Sequence, residues 1–281
     1  MKKKEQVQEP SIREVDDVEA VPVEEQNVIF RPNKGPQTEF LAAGEREVLY
    51  GGSAGGGKSY AMLADPLRYM GHPSFSGLLL RHTTEELREL IFKSKEIFPQ
   101  IWKGIKWSER KMQWEAPSGA RLWMSYLDRD DDVLRYQGLA FSWIGFDELT
   151  QWSTPYAWNY MRSRLRSVAQ DLPVFMRATT NPGGPGHQWV KKMFIDPAPY
   201  GRSFDATDIE SGNVLSYPKG HSKAGQSLFK RRFIPARLSD NPYLSAQGDY
   251  EAMLLSLPEH QRRQLLEGDW DIKEGAAFPE F

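Results

Sequence analysis

Residues 51–59 read Gly-Gly-Ser-Ala-Gly-Gly-Gly-Lys-Ser; they close an apolar run, Val48-Leu49-Tyr50, and open a helical one. Gly52, Gly57, Lys58 and Ser59 satisfy G-x-x-x-x-G-K-[ST], with Ser53, Ala54, Gly55 and Gly56 between them. The chemistry explains the spacing. Glycines let successive backbone N–H groups turn inward as an anion nest, and the N-terminus of the following helix adds its own orphan donors. A lysine at 58 reaches β- and γ-phosphates, and the Ser59 hydroxyl suits Mg²⁺. A glycine-rich turn containing Gly-Lys-Ser by accident is the plainer reading, but strand before and helix after are the context the motif demands. The stretch predicts a nucleoside triphosphate site.

The rest of the chain fits around such a loop. At 281 residues with 40% apolar and 12% aromatic content, it suits one large α/β domain, or one domain with appendages. With no cysteine there is no disulfide, thiolate metal site or thiol nucleophile. No apolar run approaches the ~20 residues of a membrane span, so no membrane partner is expected. The net charge of −2 is unevenly spread. Residues 1–27 carry eight acids against four bases, or −4, which leaves −2 − (−4) = +2 for the remainder. That composition makes 1–27 a disordered acidic tail. A nearly neutral body implies that any DNA contact comes from a local basic face.

Apolar strands at Gly77–Arg81, Phe141–Phe146, Val174–Thr180 and Phe233–Arg237 alternate with helices near 58–70, 83–98, 155–166 and 258–268. Residues 105–126 read as antiparallel strands joined by hairpins, and 196–228 as a long surface excursion. The pattern predicts an α/β, P-loop NTPase fold of the ASCE type: a mostly parallel sheet flanked by helices, with an antiparallel hairpin insertion. Ligands then bind at the carboxyl ends of the strands, with the P-loop and Asp147-Glu148 side by side.

Phe141–Phe146 runs into those two adjacent carboxylates. In P-loop ATPases an aspartate here supports the Mg²⁺ shell and a neighbouring glutamate polarises the attacking water. The plainer alternative is a turn or helix cap. Thr179-Thr180-Asn181 end the next core strand, where a γ-phosphate sensor would sit, though a strand ending in a turn explains them equally well.

Taken in order, GGSAGGGKS, the apolar strand with Phe146-Asp147-Glu148, Thr179–Gly184, Gly186-His187-Gln188-Trp189, Asp240-Asn241-Pro242 and Gly268-Asp269-Trp270-Asp271 resemble the large terminase subunit of tailed bacteriophages. The likeness covers residues 28–281. It implies an ATPase that drives double-stranded DNA into the procapsid, using ATP and Mg²⁺. It also implies a portal protein, a small terminase subunit and a homo-oligomeric ring as partners, in the cytoplasm of the infected host and outside the mature virion. By position, Lys58 and Ser59 match the family's Walker A residues, with Ser59 and Asp147 as the metal-binding pair. Glu148 matches its catalytic glutamate, and Thr179, Thr180 and Asn181 its coupling motif. Gln37 stands where the family has an adenine-reading glutamine; a solvated loop residue is the alternative.

Two departures accompany the resemblance. Ala54 and Gly55 occupy the loop, and Gln137 precedes Gly138, where many members carry an arginine. That leaves Arg81, Arg135, Arg162, Arg164, Arg166 and Arg177 as candidates for the transition-state arginine, ordinary surface or DNA-facing charges being the alternative; Arg162, Arg164 and Arg166 alternate along one helix and so do not all share a face. Resembling terminases also continue into a nuclease domain, so 28–268 is expected to be the ATPase domain and 269–281 a linker toward it, without nuclease activity. A helicase-like or other nucleic-acid-stimulated ATPase, and a nucleotide-dependent scaffold, are the competing readings. Glu148 argues against the scaffold, and the length leaves no room for a helicase's second motor core.

Overall fold

The structure is a computed structural model that describes residues 30–246 and 248–272; the acidic stretch 1–27 and the end of the chain from 273 lie outside the described residues. Helix α1 (Pro36–Ala42), with Pro36 in its first turn, leads to β1 (Glu47–Gly52), the P-loop and α2 (Lys58–Leu67). Next come β2 (Ser76–Arg81) and α3 (Thr84–Ile101). Thr83 caps α3 in a reciprocal pair with Glu86, which satisfies orphan N–H groups at the helix start. The hairpin of β3 (Lys106–Ser108) and β4 (Gln113–Glu115) leads into β5 (Arg121–Tyr126). Then follow β6 (Trp143–Asp147), α4 (Tyr156–Arg162), β7 (Phe175–Thr180) and α5 (His187–Val190). Strands β8 (Ser203–Asp205) and β9 (Lys230–Ala236) precede three short helices, α6 (Pro242–Ser245), α7 (Asp249–Leu255) and α8 (Glu259–Arg262).

The described strands form one nine-stranded sheet in the order β3-β4-β5-β2-β6-β7-β1-β9-β8. From β5 to β9 every pairing is parallel, whereas β3-β4-β5 and β8-β9 are antiparallel. This is the expected α/β architecture with its hairpin insertion. One expectation changes. The P-loop and Asp147 are not on neighbouring strands, because β7 pairs with both β1 and β6 and lies between them. The strand carrying Thr179 and Thr180 therefore separates the phosphate loop from the carboxylates.

Period-two alternation splits each buried strand between two cores. Leu78 and Leu80 of β2, with Ile144 and Phe146 of β6, face a cluster that includes Trp158 and Phe194. Leu79 and Trp143 face the opposite cluster, formed with Met62 and Leu63 of α2 and Leu87, Leu90 and Phe98 of α3. Two buried ion clusters pin the sheet's far end. Glu47, fully buried, takes both Arg162 and Arg231, with Arg231 Nε at 2.7 Å from its Oε2. Two cations outweigh desolvation there and hold the Glu47 carboxyl below its ordinary range. The other cluster joins Asp65 Oδ2 to Trp143 Nε1 at 2.7 Å and to Arg177 Nε at 3.5 Å.

The helix expected over 155–166 ends at Arg162. Phe141 N–H donates to Arg164 O at 3.0 Å and Arg166 N–H donates to Phe141 O at 2.8 Å, drawing the chain out of the helix alongside the entry to β6. Arg162, Arg164 and Arg166 therefore do not share one helix. Residues 206–229 form a largely exposed excursion held by bridges at Thr207–Val214 and Ser216–Ser227. After α8 the chain makes a wider π turn, Arg263–Glu267, and Gly268 takes φ +65°. A Cβ on Gly268 would lie 2.6 Å from Ser53 N, so only glycine lets this return segment touch the P-loop backbone.

Candidate active site

The P-loop is tied outward at three successive carbonyls. Asn241 Nδ2 donates to Gly55 O at 2.6 Å, the Tyr50 hydroxyl to Gly56 O at 2.7 Å, and Gln37 Nε2 to Gly57 O at 2.9 Å. In a trans peptide the carbonyl and the next residue's N–H point oppositely. Anchoring those carbonyls to the protein therefore turns the N–H groups of Gly56, Gly57 and Lys58 the other way, as an anion nest requires. Gly52, Gly55 and Gly57 have φ of +139°, +77° and +76°. At Gly52 the space is closed as well, since a Cβ would sit 2.3 Å from Ala236 O. Lys58 opens α2, is buried, and donates from Nζ to Ser53 O at 2.6 Å. Burial pulls its pKa below the ordinary lysine value, and Glu148 and Asp147 offset that only in part. Ser59 is half-buried in the first turn of the same helix.

Asp147 ends β6, fully buried. Its Oδ1 accepts a hydrogen bond from the Thr179 hydroxyl on β7, and Arg81 Nε from the end of β2 lies 2.8 Å from its Oδ2. That second contact is off the angle of a directed hydrogen bond and acts as an ion pair. Glu148 follows with φ +61° and ψ +57°, a left-handed backbone uncommon outside glycine. Such strain persists where surrounding structure enforces it. Burial and then Asp147 raise the Glu148 pKa above the ordinary range, while Lys58, Arg81 and the Asn181 backbone pull it down less strongly. The two adjacent carboxylates thus differ: Asp147 is ion-paired, and Glu148 holds its proton more tightly than a free glutamate.

The turn after β7 is stitched to the segment after Glu148. Thr150 and Thr180 share a hydroxyl contact at 2.7 Å, Thr150 N–H donates to Thr180 Oγ1 at 3.2 Å, and Thr150 Oγ1 donates to Asn181 O at 3.2 Å. Asn181 Oδ1 is buried without a hydrogen-bond partner among the described residues. His187 fastens the turn from behind. Gly183 N–H donates to its Nδ1 at 2.8 Å, so its Nε2, 3.2 Å from Trp270 O, carries the proton, and the ring stacks on Trp270. The return segment meets the other side of the site, where Ala54 N–H donates to Leu265 O at 2.6 Å.

Of the six candidate arginines, Arg81 is the one brought to the carboxylates. Arg177 donates to Ala43 O at 2.7 Å and Glu45 O at 3.0 Å, Arg162 binds Glu47, and Arg135 donates to Tyr126 O at 2.8 Å. Arg164 lies over the Tyr160 ring at 5.5 Å, and Arg166 donates to Gly138 O at 3.5 Å. Gln37 is no solvated loop residue. It is 3% exposed, and its Oε1 accepts from Asn33 N–H at 2.6 Å, so both ends of its amide are engaged by backbone. It lines a cavity of about 390 Å³ beside Gly57, with Asn33, Tyr60, Asn241 and Tyr243 among the other walls. Sequence reasoning overlooked Tyr50 and Thr150, and used Asn241 only within the Asp240-Asn241-Pro242 stretch, with no role of its own. An asparagine before proline gives no sign that its amide reaches a loop 186 residues away.

Residues 49–281 match the family model described as terminase large subunit, T4likevirus-type, N-terminal. The chain belongs to the large terminase family. Among solved structures, it is similar to the large terminase of a thermophilic bacteriophage in complex with ADP, at 16% identity and a TM-score of 0.59, over 85% of this chain and 54% of that one. It is also similar to the large terminase ATPase domain of Thermus phage P74-26, at 13% identity and a TM-score of 0.53, over 86% of this chain and 94% of that one. At such identities the likeness is one of fold, and the sheet with its hairpin is shared. The chain spans about half the length of the ADP-bound terminase. No curated protein sequence matches it. Among the described residues no helix is long and apolar enough to cross a membrane.

Proposed function

We propose that this chain is the ATP-hydrolysing motor domain of a terminase and drives double-stranded DNA into a procapsid. The observation that carries the reading is the preset nest: three outward-tied carbonyls, a buried lysine at the helix start, and two carboxylates of unequal character across β7. The Gly56, Gly57 and Lys58 N–H groups bind the phosphates without reorganisation, and Lys58 exchanges Ser53 O for the β- and γ-phosphates. The cavity beside Gly57 takes the base. Gln37 reads adenine there by giving up one of its two backbone contacts.

A hydroxyl at Ser59 and a buried carboxylate at Asp147 are the hard oxygen donors that Mg²⁺ prefers, so the residues fit the ion. Bound there, Mg²⁺ would neutralise charge on the β- and γ-oxygens. Glu148 orients water and takes its proton as the γ-phosphorus–oxygen bond to the β-phosphate breaks. A raised pKa improves a carboxylate as a base near neutral pH. Thr180 and Asn181 border the γ-phosphate and relay its loss through the turn held by Thr150 and His187. Portal, small subunit and a ring of identical chains complete this reading, in the cytoplasm of the infected host.

The test is ATP turnover with and without double-stranded DNA and portal-bearing procapsids, for wild type and Lys58→Ala. Turnover stimulated by DNA with procapsids, and abolished in a folded Lys58→Ala chain with weakened ATP binding, is expected. Wild-type turnover in that variant would remove the P-loop from the mechanism.

A further inference from the structure

The body of the chain beyond residue 27 carries a net charge of only +2, yet residues 103–121 alone hold Lys103, Lys106, Arg110, Lys111 and Arg121 against Glu109 and Glu115, or 5 − 2 = +3. The hairpin insertion is therefore locally more positive than the body as a whole. Both of its acids are already answered within the protein, Glu109 by Lys95 from α3 and Glu115 by Arg121 at 3.9 Å. Those are the ion pairs of this stretch among the described residues, which leaves Lys103, Lys106, Arg110 and Lys111 exposed and outside ion pairs, with Lys106 set across the ladder from Glu115.

The hairpin is also a rigid platform. Trp107 and Trp114 pair across β3 and β4 with rings 5.3 Å apart. Trp114 packs on Phe98 of α3 and donates from Nε1 to Ser94 Oγ at 3.0 Å, while Lys95 lies 5.6 Å from the Trp107 ring centre. Alternation sends Lys106 and Ser108 to the other face, where a groove of about 430 Å³ is lined by Lys106, Lys111, Gln113 and Glu115 among others. The pairings fix where this surface lies. Strand β5 is parallel to β2, β4 antiparallel to β5, and β3 antiparallel to β4, so β3 runs with β2. The turn carrying Arg110 and Lys111 thus stands at the same end of the sheet as the P-loop, six strand spacings away, or roughly 29 Å.

Two other stretches are basic: 162–166, where Arg162 is spent on Glu47, Arg164 lies over the Tyr160 ring and Arg166 donates to Gly138 O, and the excursion 206–229 with the start of β9, where Lys230 is spent on Asp205, Arg231 on Glu47 and Arg232 on Glu39. Only Lys219 and Lys223 remain outside ion pairs in its stretch 211–232 among the described residues.

We infer that the β3–β4 hairpin, through Lys103, Lys106, Arg110 and Lys111, is the surface that grips the phosphate backbone of double-stranded DNA. The inference rests on the DNA-translocating reading above. A grip here is independent of base sequence, since it offers point charges to phosphates rather than a helix to a groove. It lies far enough from Lys58 and Glu148 to be altered without touching the chemistry.

Each neutralised phosphate contributes about −0.9 to the slope of log K against log salt. Four contacts give about −3.6, which is a loss of affinity of roughly a hundredfold between about 50 and 200 mM salt. The experiment measures duplex-DNA binding by the full chain across that range, for wild type, for Lys103→Ala/Lys106→Ala/Arg110→Ala/Lys111→Ala, and for Lys219→Ala/Lys223→Ala. The hairpin variant is expected to lose most of the salt slope and at least tenfold in low-salt affinity, with basal ATP turnover and thermal stability unchanged. The Lys219/Lys223 variant is expected to bind DNA like wild type. A wild-type slope in the hairpin variant overturns the inference and leaves the motor reading standing. Failure of the wild type to bind duplex DNA overturns it too, and failure of procapsid-stimulated turnover would then mark the motor reading itself as wrong. A single charge reversal, Lys111→Glu, should weaken DNA binding further than Lys111→Ala if the contact is electrostatic.

Discussion

Replacing Glu148 with glutamine separates the chemistry of this residue from its cost to the fold. The variant keeps the side chain's length, its left-handed backbone position and an oxygen that can accept from the Asn181 backbone, and removes only the charge. Loss of a general base lowers turnover by about 10²–10⁴. Stability should move the other way. Burial and Asp147 raise the Glu148 pKa, so the folded chain binds this proton more tightly than the unfolded one. Stability from the protonated form is therefore fully present below the unfolded glutamate pKa and is lost as pH rises through the folded value. Each tenfold of excess proton affinity is about 1.4 kcal/mol. At about 2–4 °C per kcal/mol, each such tenfold would return roughly 3–6 °C in Tm to Glu148→Gln above the folded pKa. The assay is thermal unfolding at a series of pH values beside steady-state turnover and ATP calorimetry. The Tm advantage of Glu148→Gln should grow with pH and vanish where wild-type Glu148 is protonated in both states. Asp147→Asn is the contrast: it breaks the ion pair with Arg81 and weakens Mg²⁺-dependent ATP binding itself. Unchanged turnover in Glu148→Gln, or a lower Tm than wild type at pH 8, would refute this account of the site.

Two further predictions concern the scaffold. Gly52→Ala places a methyl 2.3 Å from Ala236 O at a φ of +139°, so it should destabilise by about 2–3 kcal/mol and loosen ATP binding, read by denaturant unfolding and calorimetry. Glu47→Gln leaves Arg231 buried without its counter-charge and should cost about 3–5 kcal/mol at neutral pH. Because the Glu47 pKa is lowered in the fold, the stability it contributes is present above the unfolded glutamate value and lost as pH falls through the folded one. The gap between wild type and variant should therefore narrow in acid.

What could be read from the chain without its fold is what acts over a few residues. The Gly52–Ser59 spacing and the apolar strand running into Asp147-Glu148 are local patterns, and each names its own structure. The limits of local reading appear at Arg164 and Arg166, where helical propensity lost to hydrogen bonds with Phe141, a residue more than twenty positions away. The site's finer construction belongs to the tertiary structure alone. Insertion of β7 between β1 and β6 brings Thr179 to Asp147 across 32 residues, and the end of β2 sets Arg81 against the same carboxylate. Gln37, Tyr50 and Asn241 reach three adjacent carbonyls of one loop from separations of 20, 6 and 186 residues. No periodicity encodes such meetings, because a side chain's partner across the fold depends on strand order and packing rather than on its neighbours in sequence. The glycine-rich loop is written in nine consecutive residues, and what ties its carbonyls outward is decided by where the rest of the chain comes to lie.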